Sequence, residues 1–549
     1  MDKSLSDLKF NGIKPLQKLG DHAKMMAFAN PLYNLTLIGR KSYDFVVNPT
    51  DPWPGDIEKG RQISTGELNF AGQKLVVENV MWEPVGMDEN WLMELHGFEW
   101  LRDLRAFGGD KARLRARHMI KNWIENYDKW HELSWQPDVL GQRITSWMLG
   151  YSFFGESADE YFQVAFFESL SRQAMHLARS TSGKITGLSK IKALRGLIYA
   201  SICLQGFEGK IEKTFAQLID ALSKQILPDG GHISRSPSQQ VEVLKALIEI
   251  RALLLAGGCE LPEEIQHAID RMAPALKFFR YKDGGLPLFH GSREGSPALL
   301  EMVLNRSYVK GRPLKEMPHS GFQRIVKGQM QVMMDVGGLP TSEYSQKAHL
   351  GVLAFEMNYG RERIIVNCGG SLSAGPWHTA LRSTMAHSTV SLKQKNAGKI
   401  FDNGQVQCQA RVTSQCDETK EAVLVDALHD GYLAEFNTQH QRRLFITDQG
   451  KTLVGEDSLC GPQGVDFTVR FHLHPTIQAS LIQSGQEVLL RSLSGGGWRM
   501  KASGAEFDIE ESIYAGLGDM PRRSLQIVLK GKTSAQQTII KWAMRREHI

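Results

Sequence analysis

The sequence predicts an α+β multidomain chain, with helical hairpins first and an antiparallel β-sandwich second. Three observations carry this. The chain has 549 residues, too many for one ordinary hydrophobic core, so two domains are expected. Up to about residue 310 apolar side chains recur three and four positions apart, which is the helical period. Beyond about residue 320 they recur at every second position, which is the period of a strand. The expected organisation is a helical domain over 1–310, a linker over 311–321 within "YVKGRPLKEMPHSG", and a sandwich domain over 322–549.

Taken in order, helices are predicted over about 92–106, 112–129, 138–153, 159–179 and 189–205. Ile211, Phe215, Leu218, Ile219, Leu222 and Ile226 form one apolar stripe. Val241, Leu244, Ile248 and Leu255 form another, stopped by Gly257-Gly258. Ile265, Ile269, Met272 and Leu276 follow Pro262, which suits a helix start. Many helices joined by short loops suggest hairpins packed in a ring or solenoid, although no strict repeat is present. In the second half, "GVDFTVRFHLHP" alternates most clearly. Val465, Phe467, Val469, Phe471 and Leu473 face one way, and Asp466, Thr468, Arg470, His472 and His474 the other. "KTLVGEDSL" and "RSLQIVLKG" behave alike, and such strands broken by turn residues stack as two antiparallel sheets.

Composition sets the chemistry allowed. Apolar residues make up 42% and charged residues 23%, as in water-exposed globular proteins. A net charge of +5 is too small on this length to drive nucleic-acid binding, but it tolerates an acidic polymer. The six cysteines form no C-x-x-C pair and are expected as mostly reduced, buried thiols. "MDKSLSDLKFNGIKPLQKLG" has no apolar core of a signal peptide, and no apolar run is long enough to span a bilayer. The cytoplasm is therefore the expected compartment.

Several motifs could carry function. In "LPDGGHISRSPSQQVEVL", Ser236, Pro237 and Gln239 fit a capping box, which leaves His232 and Arg235 without a role. "KAHLGVLAFEMNYGRERIIVNCGG" reads as a β-hairpin with His349 before one strand and Asn367-Cys368 after the other. "WHTALRSTMAHSTV" adds Trp377, Arg382 and His387. Two histidines and an Asn or Cys at one sheet end could bind a divalent metal, against the blander reading of surface histidines. The His472/His474 pair reads equally as a solvated face. In the helical half, His96, Trp100, Arg105, Trp135, Arg143 and Trp147 combine aromatics that can stack on sugars with arginines that can hold carboxylates, though tryptophan is also ordinary packing. No P-loop, G-x-G-x-x-G or G-x-S-x-G is present.

Together "ELHGFEWLRDLRAFGG", "SWQPDVLGQRITSWM", "LPDGGHISRSP", "DGGLPLFHG", "SGFQRI", the 347–370 hairpin, "RSTMAHSTV" and "RFHLHP" resemble the heparinase II/III-like family of polysaccharide lyases, in order from about residue 30 to 475. The resemblance implies an N-terminal (α/α) toroid followed by the β-sandwich. It implies β-elimination on a uronate-containing, glycosaminoglycan-like polysaccharide, with a group that neutralises the carboxylate, a base for the C5 proton and an acid for the leaving oxygen. It also implies one structural divalent metal, Zn or Ca, in the sandwich, and no organic cofactor.

Carried over residue by residue, the match is incomplete. Gln239 and Gln240 stand where the family has Tyr and His, and "TGLSKIKALRG" lacks the family's Asn-His. A glutamine does not shuttle protons near neutral pH. The sandwich half is kept better. His349 matches the family's histidine, Gly351 replaces an aspartate, Asn367 stands for another aspartate, and His387 matches the histidine before the "ST" strand. The implied metal ligands are His349, Asn367 or Cys368, and His387.

The leading expectation is thus a carbon-oxygen lyase acting on an acidic polysaccharide, with His349 as base or acid. Arg143 would hold the carboxylate, His232 would replace the missing proton carrier, and Gln239, Gln240, Trp135 and Arg382 would contact substrate. The alternative is a catalytically impaired glycan-binding or envelope-associated protein on the same scaffold. A hydrolase using Asp229 and Asp283 is weaker, because both read as turn residues. The expected partner is an acidic polysaccharide or oligosaccharide, with no nucleic acid and no membrane span; no oligomeric state is predicted. The compartment typical of the family, periplasm or envelope, is the alternative to the cytoplasm.

Overall fold

A computed structural model describes residues 25–37, 42–181, 183, 185–401, 404–408, 410–493, 495–534 and 536–547. The N-terminal stretch read for a signal peptide lies outside them. The chain is an α+β protein that divides into two compact units. One comprises residues up to 185 with 189–218 and 249–261, and the other comprises 186–188, 219–248 and 262–549.

The first unit is helical. Pro137–Phe154 is buried on nearly every side and packs against Glu89–Gly97, Leu101–Phe107, Gly109–Tyr127 and Glu160–Ser180. Close approach to Gly187–Cys203 depends on glycine: a Cβ on Gly141 would meet the Lys192 carbonyl at 2.4 Å. The helix expected over 92–106 is two helices, Glu89–Gly97 and Leu101–Phe107, because Phe98 adopts a left-handed backbone with φ 58°. Its ring is fully buried between Trp82, Trp100 and Trp147, and that packing offsets the backbone cost. Helix Ile57–Ser64 and the hairpin Glu67–Phe70/Gln73–Val76 precede the predicted elements.

The second unit holds the sheets. One runs Val412–Glu418, Val423–His429, Gln439–Thr447, Thr452–Cys460, Gln537–Glu547, Gly497–Ser503, Glu487–Ser492, Ile477–Ile482. The other runs Glu506–Tyr514, Arg522–Lys532, Asp466–Leu473, Glu362–Val366, Phe355–Tyr359, Met330–Asp335, Phe322–Lys327, Glu316–Met317, with Val390–Leu392 paired to Asp466–Leu473. All pairings among these strands are antiparallel, and side chains of both sheets share one apolar core that includes Phe355, Phe471 and Trp542. The alternation expected at 465–474 holds for the apolar face. The opposite face is not solvated at its end: Arg470 and His472 are buried, because Ser388, Ser391 and Ser512 cover them. Helices Pro237–Ala256, Glu263–Phe279 and Pro297–Ser307 were expected except the last, whose signal was Ser296 at the N-cap followed by proline. All six cysteines are free, but only Cys203 and Cys368 are buried; Cys259 and Cys416 are exposed. Among the described residues no helix is long and apolar enough to cross a membrane.

Candidate functional site

The second unit gathers a buried polar cluster around Asp335, which ends the wholly buried strand Met330–Asp335. One Asp335 oxygen accepts from Arg235 Nη2 and from the Gly337 amide at 3.1 Å; the other lies 3.0 Å from His290 Nε2. Arg235 also donates to the carbonyls of Ser320 at 2.7 Å, Gly338 at 2.7 Å and Gly321 at 2.9 Å. A Cβ on Gly337 would stand 2.5 Å from the Arg235 guanidinium, so glycine makes room for it. Arg235 and His290 both hold left-handed backbones, φ 59° and 47°, a strain that persists only where the surroundings fix it. Burial pushes the Asp335 carboxyl up, but Arg235 and His290 outweigh it and hold the pKa below its usual range.

Three histidines continue from this anchor. His290 Nδ1 accepts from the His349 backbone amide at 3.2 Å, His349 Nδ1 lies 3.1 Å from His387 Nε2, and His387 Nδ1 lies 2.8 Å from the Ser383 carbonyl. Burial pulls all three imidazoles down in pKa, His387 to about 4 and His349 well below its ordinary value. All are therefore neutral near pH 7. The tautomers then follow from the partners. A carbonyl only accepts, so His387 carries its proton on Nδ1 and accepts at Nε2. His349 must donate from Nδ1, which leaves Nε2 as a bare lone pair. That nitrogen has no hydrogen-bond partner among the described residues. The cluster presents one neutral base, oriented by hydrogen bonds on its other side.

The segment that precedes helix Pro237–Ala256 has a different role. Gln240 is buried and accepts from the His232 amide at 2.7 Å, while its Nε2 donates to the Gly230 carbonyl at 2.9 Å and the Met272 carbonyl at 3.0 Å. Its amide is occupied by backbone, which removes Gln240 from substrate contact. His232 is buried between Ser234 Oγ at 2.7 Å and Gln225 Oε1 at 3.1 Å, and burial lowers its pKa to about 4. It is a structural histidine rather than a substitute proton carrier. Gln239 is partly exposed on the first turn, and its side chain makes no hydrogen bond among the described residues. The expected capping box does not form: Ser236 Oγ pairs with Ser292 Oγ at 3.1 Å, and Ser292 Oγ accepts from the Ser238 amide at 2.9 Å. The helix start is thus stitched to the turn that carries His290.

The other expected residues fall elsewhere. Arg143, in the helical unit, is fully buried over Trp123 and donates to the His96 and Ser134 carbonyls and to Gln173. Burial lowers its pKa strongly. Its burial and these three bonds give it a packing role in the helical unit. Trp135 is 1% exposed, donates to the Tyr127 carbonyl and packs on His176, which excludes sugar stacking. Arg382 is also buried. It donates to the carbonyls of Ala348 at 2.9 Å and Ser345 at 3.0 Å, just before His349, and so positions that histidine instead of meeting substrate. Asp229 and Asp283 hold turns, as expected, through the Gly231 and Gly285 amides.

The residues present do not fit the expected metal. Asn367 donates to Glu356 and accepts from the Ser388 amide, and the Cys368 thiol turns to His472 Nδ1 at 3.5 Å. Burial pushes that thiol up to about 12, so it stays protonated. His349 and His387 bond each other. Among the described residues no three His, Cys, Asp or Glu side chains are grouped to hold a metal ion. Sequence reasoning missed Arg235 as an ion-pair partner and Asp335 altogether, and it gave His290, within "DGGLPLFHG", no role. The one available signal was a carboxylate closing the apolar run "QVMMD".

Comparison with known proteins agrees with this architecture. The family model described as "Heparinase II/III-like, C-terminal" matches residues 309–543. FtsZ-localized protein C of Caulobacter vibrioides (strain NA1000 / CB15N) is 30% identical over 547 residues, covering 96% of this chain and 94% of that protein. A crystal structure of heparinase III superposes with a TM-score of 0.77 at 16% identity, over 98% of this chain and 92% of the other. Heparan sulfate lyase HepC from Pedobacter heparinus gives a TM-score of 0.59 at 15% identity, over 99% and 92%. These two share the fold.

Proposed function

The chain belongs to the heparinase II/III-like family, and from that premise we propose that it binds an acidic, uronate-containing polysaccharide on a polysaccharide-lyase scaffold without cleaving it at an enzymatic rate. One observation carries this: Gln240, at the position of the family's histidine, is locked to three backbone groups, beside a Gln239 that transfers no proton. β-Elimination needs a neutraliser, a base and an acid together. His349 supplies only a base, and its depressed pKa makes it a weak one.

A second reading is slow elimination through His349, favoured by its bare Nε2 and the His387 hydrogen bond behind it. Ultraviolet absorbance of the unsaturated uronate, followed with heparan sulfate, chondroitin, alginate and bacterial exopolysaccharides, separates the two. Saturable binding by calorimetry with a flat absorbance trace supports the binding protein. An absorbance rise abolished by His349→Ala replaces it with the lyase. The name of the relative adds a partner to test, FtsZ, by co-sedimentation with its polymers.

A further inference from the structure

A pocket of about 450 Å³ opens beside the end of helix Glu263–Phe279 and shares no residue with the histidine cluster. We infer that it binds a small organic oxyanion, a phosphate or carboxylate on a hydroxylated carrier the size of one sugar. Lys277, Arg280, Lys282 and Arg324 line it, against the single carboxylate of Glu301. Glu301 is engaged by Arg280 at 2.5 Å. The two lysine amines are held by neutral oxygens, Lys277 by the Val309 carbonyl at 2.8 Å and Lys282 by Gln329 Oε1 at 3.0 Å, so their charge is aimed but not cancelled. The Arg324 side chain has no ion pair or hydrogen bond among the described residues, and its Nε is buried without a partner. A half-buried guanidinium in one pocket with two uncancelled lysine charges calls for an anion.

A second, independent observation concerns Gln331, also in the pocket wall. It is 1% exposed, and neither its Oε1 nor its Nε2 has a partner. Its strand register places it opposite Val326, two residues from Arg324, so both side chains stand on one sheet face. A buried amide that is wholly unpartnered is costly unless a ligand group satisfies it. A carboxamide beside a guanidinium suits a hydroxyl next to an oxyanion. The volume suits one such unit rather than a polymer segment.

Calorimetry on the full chain with glucose 6-phosphate, glucuronate and inorganic phosphate tests this. We expect saturable one-to-one binding of at least one of the two sugars, weakened at least tenfold in Arg324→Met and in Lys282→Ala. Lys282 is exposed, so its variant keeps the test valid if Arg324→Met fails to fold. Binding of glucose 6-phosphate alone identifies a phosphate ligand, and of glucuronate alone a sugar acid; either upholds the site. No saturable binding of any probe, or affinities unchanged in both variants, overturns it. Inorganic phosphate binding more tightly than both sugars overturns the carrier.

Discussion

His349 Nδ1 and His387 Nε2 lie 3.1 Å apart, and their hydrogen bond runs in one direction, from His349 to His387. The direction is set one step away, where His387 Nδ1 donates to the Ser383 carbonyl. His387→Ala should therefore free the His349 ring to take the other tautomer. Nitrogen-15 chemical shifts of His349 should move from a protonated Nδ1 toward a mixture, with little change elsewhere. Unchanged His349 shifts would refute the relay. Glycan affinity measured on the same variant tells whether the fixed tautomer matters to binding.

Acid should destabilise the protein over a defined window. His232 and His387 are held at about 4 by burial, against about 6.5 in an unfolded chain. Above pH 6.5 both states are neutral and these groups contribute no pH dependence. As pH falls toward 4 the unfolded chain takes up protons that the folded one refuses, so stability drops by roughly 3 kcal/mol for each group. Asp335 acts in the same sense at lower pH, because its folded pKa is depressed and its contribution is lost as it protonates. Denaturant melts at pH 7, 6, 5 and 4 should show a monotonic fall, and a flat profile would contradict it.

The two glutamines should respond in opposite ways to restoring the family's residues. Gln239→Tyr alters a partly exposed side chain and should change stability by no more than about 0.5 kcal/mol. Gln240→His breaks a buried set of three hydrogen bonds that an imidazole does not reproduce, and should cost about 2–4 kcal/mol. Urea unfolding of both variants checks this. Equal effects would mean that Gln240 is not held by those three backbone groups.

How much of this was legible in the sequence divides by range. The change of apolar period near residue 310 marks helices before and strands after, because amphipathicity is local. The break at Phe98 was not visible, because it is held by four tryptophan rings brought together only by folding. His349 and His387 could be named because each stands a few residues ahead of an apolar strand, Phe355–Tyr359 and Val390–Leu392. Their partners could not: Asp335 meets His290 across 45 residues and Arg235 across 100. Arg143 misled for a related reason. An arginine between tryptophans reads as a sugar site, and only burial on all sides of Pro137–Phe154 shows it to be packing.

Arg143→Met then separates these roles. It removes donors to the His96 and Ser134 carbonyls and to Gln173, and should cost about 3 kcal/mol by leaving buried acceptors unpaired. Glycan affinity, measured well below the melting temperature, should stay within twofold. A large affinity loss with unchanged stability would return Arg143 to the binding site.

The Arg235–Asp335 pair gives the sharpest stability test. Both partners are nearly solvent-free, at 5% and 3% side-chain exposure. Asp335→Asn keeps the shape but leaves a buried guanidinium without its counter-charge, and should cost about 3–5 kcal/mol. Arg235→Met strands the carboxylate instead and loses the ties to Ser320, Gly321 and Gly338, so it should cost at least as much. The double variant should cost less than the two single losses added together, because neither charge is then stranded. Denaturant unfolding of all four proteins yields the coupling directly. Additive losses would mean that the two residues act separately, and that the strained backbone at Arg235 is held by the carbonyls of Ser320, Gly321 and Gly338 alone.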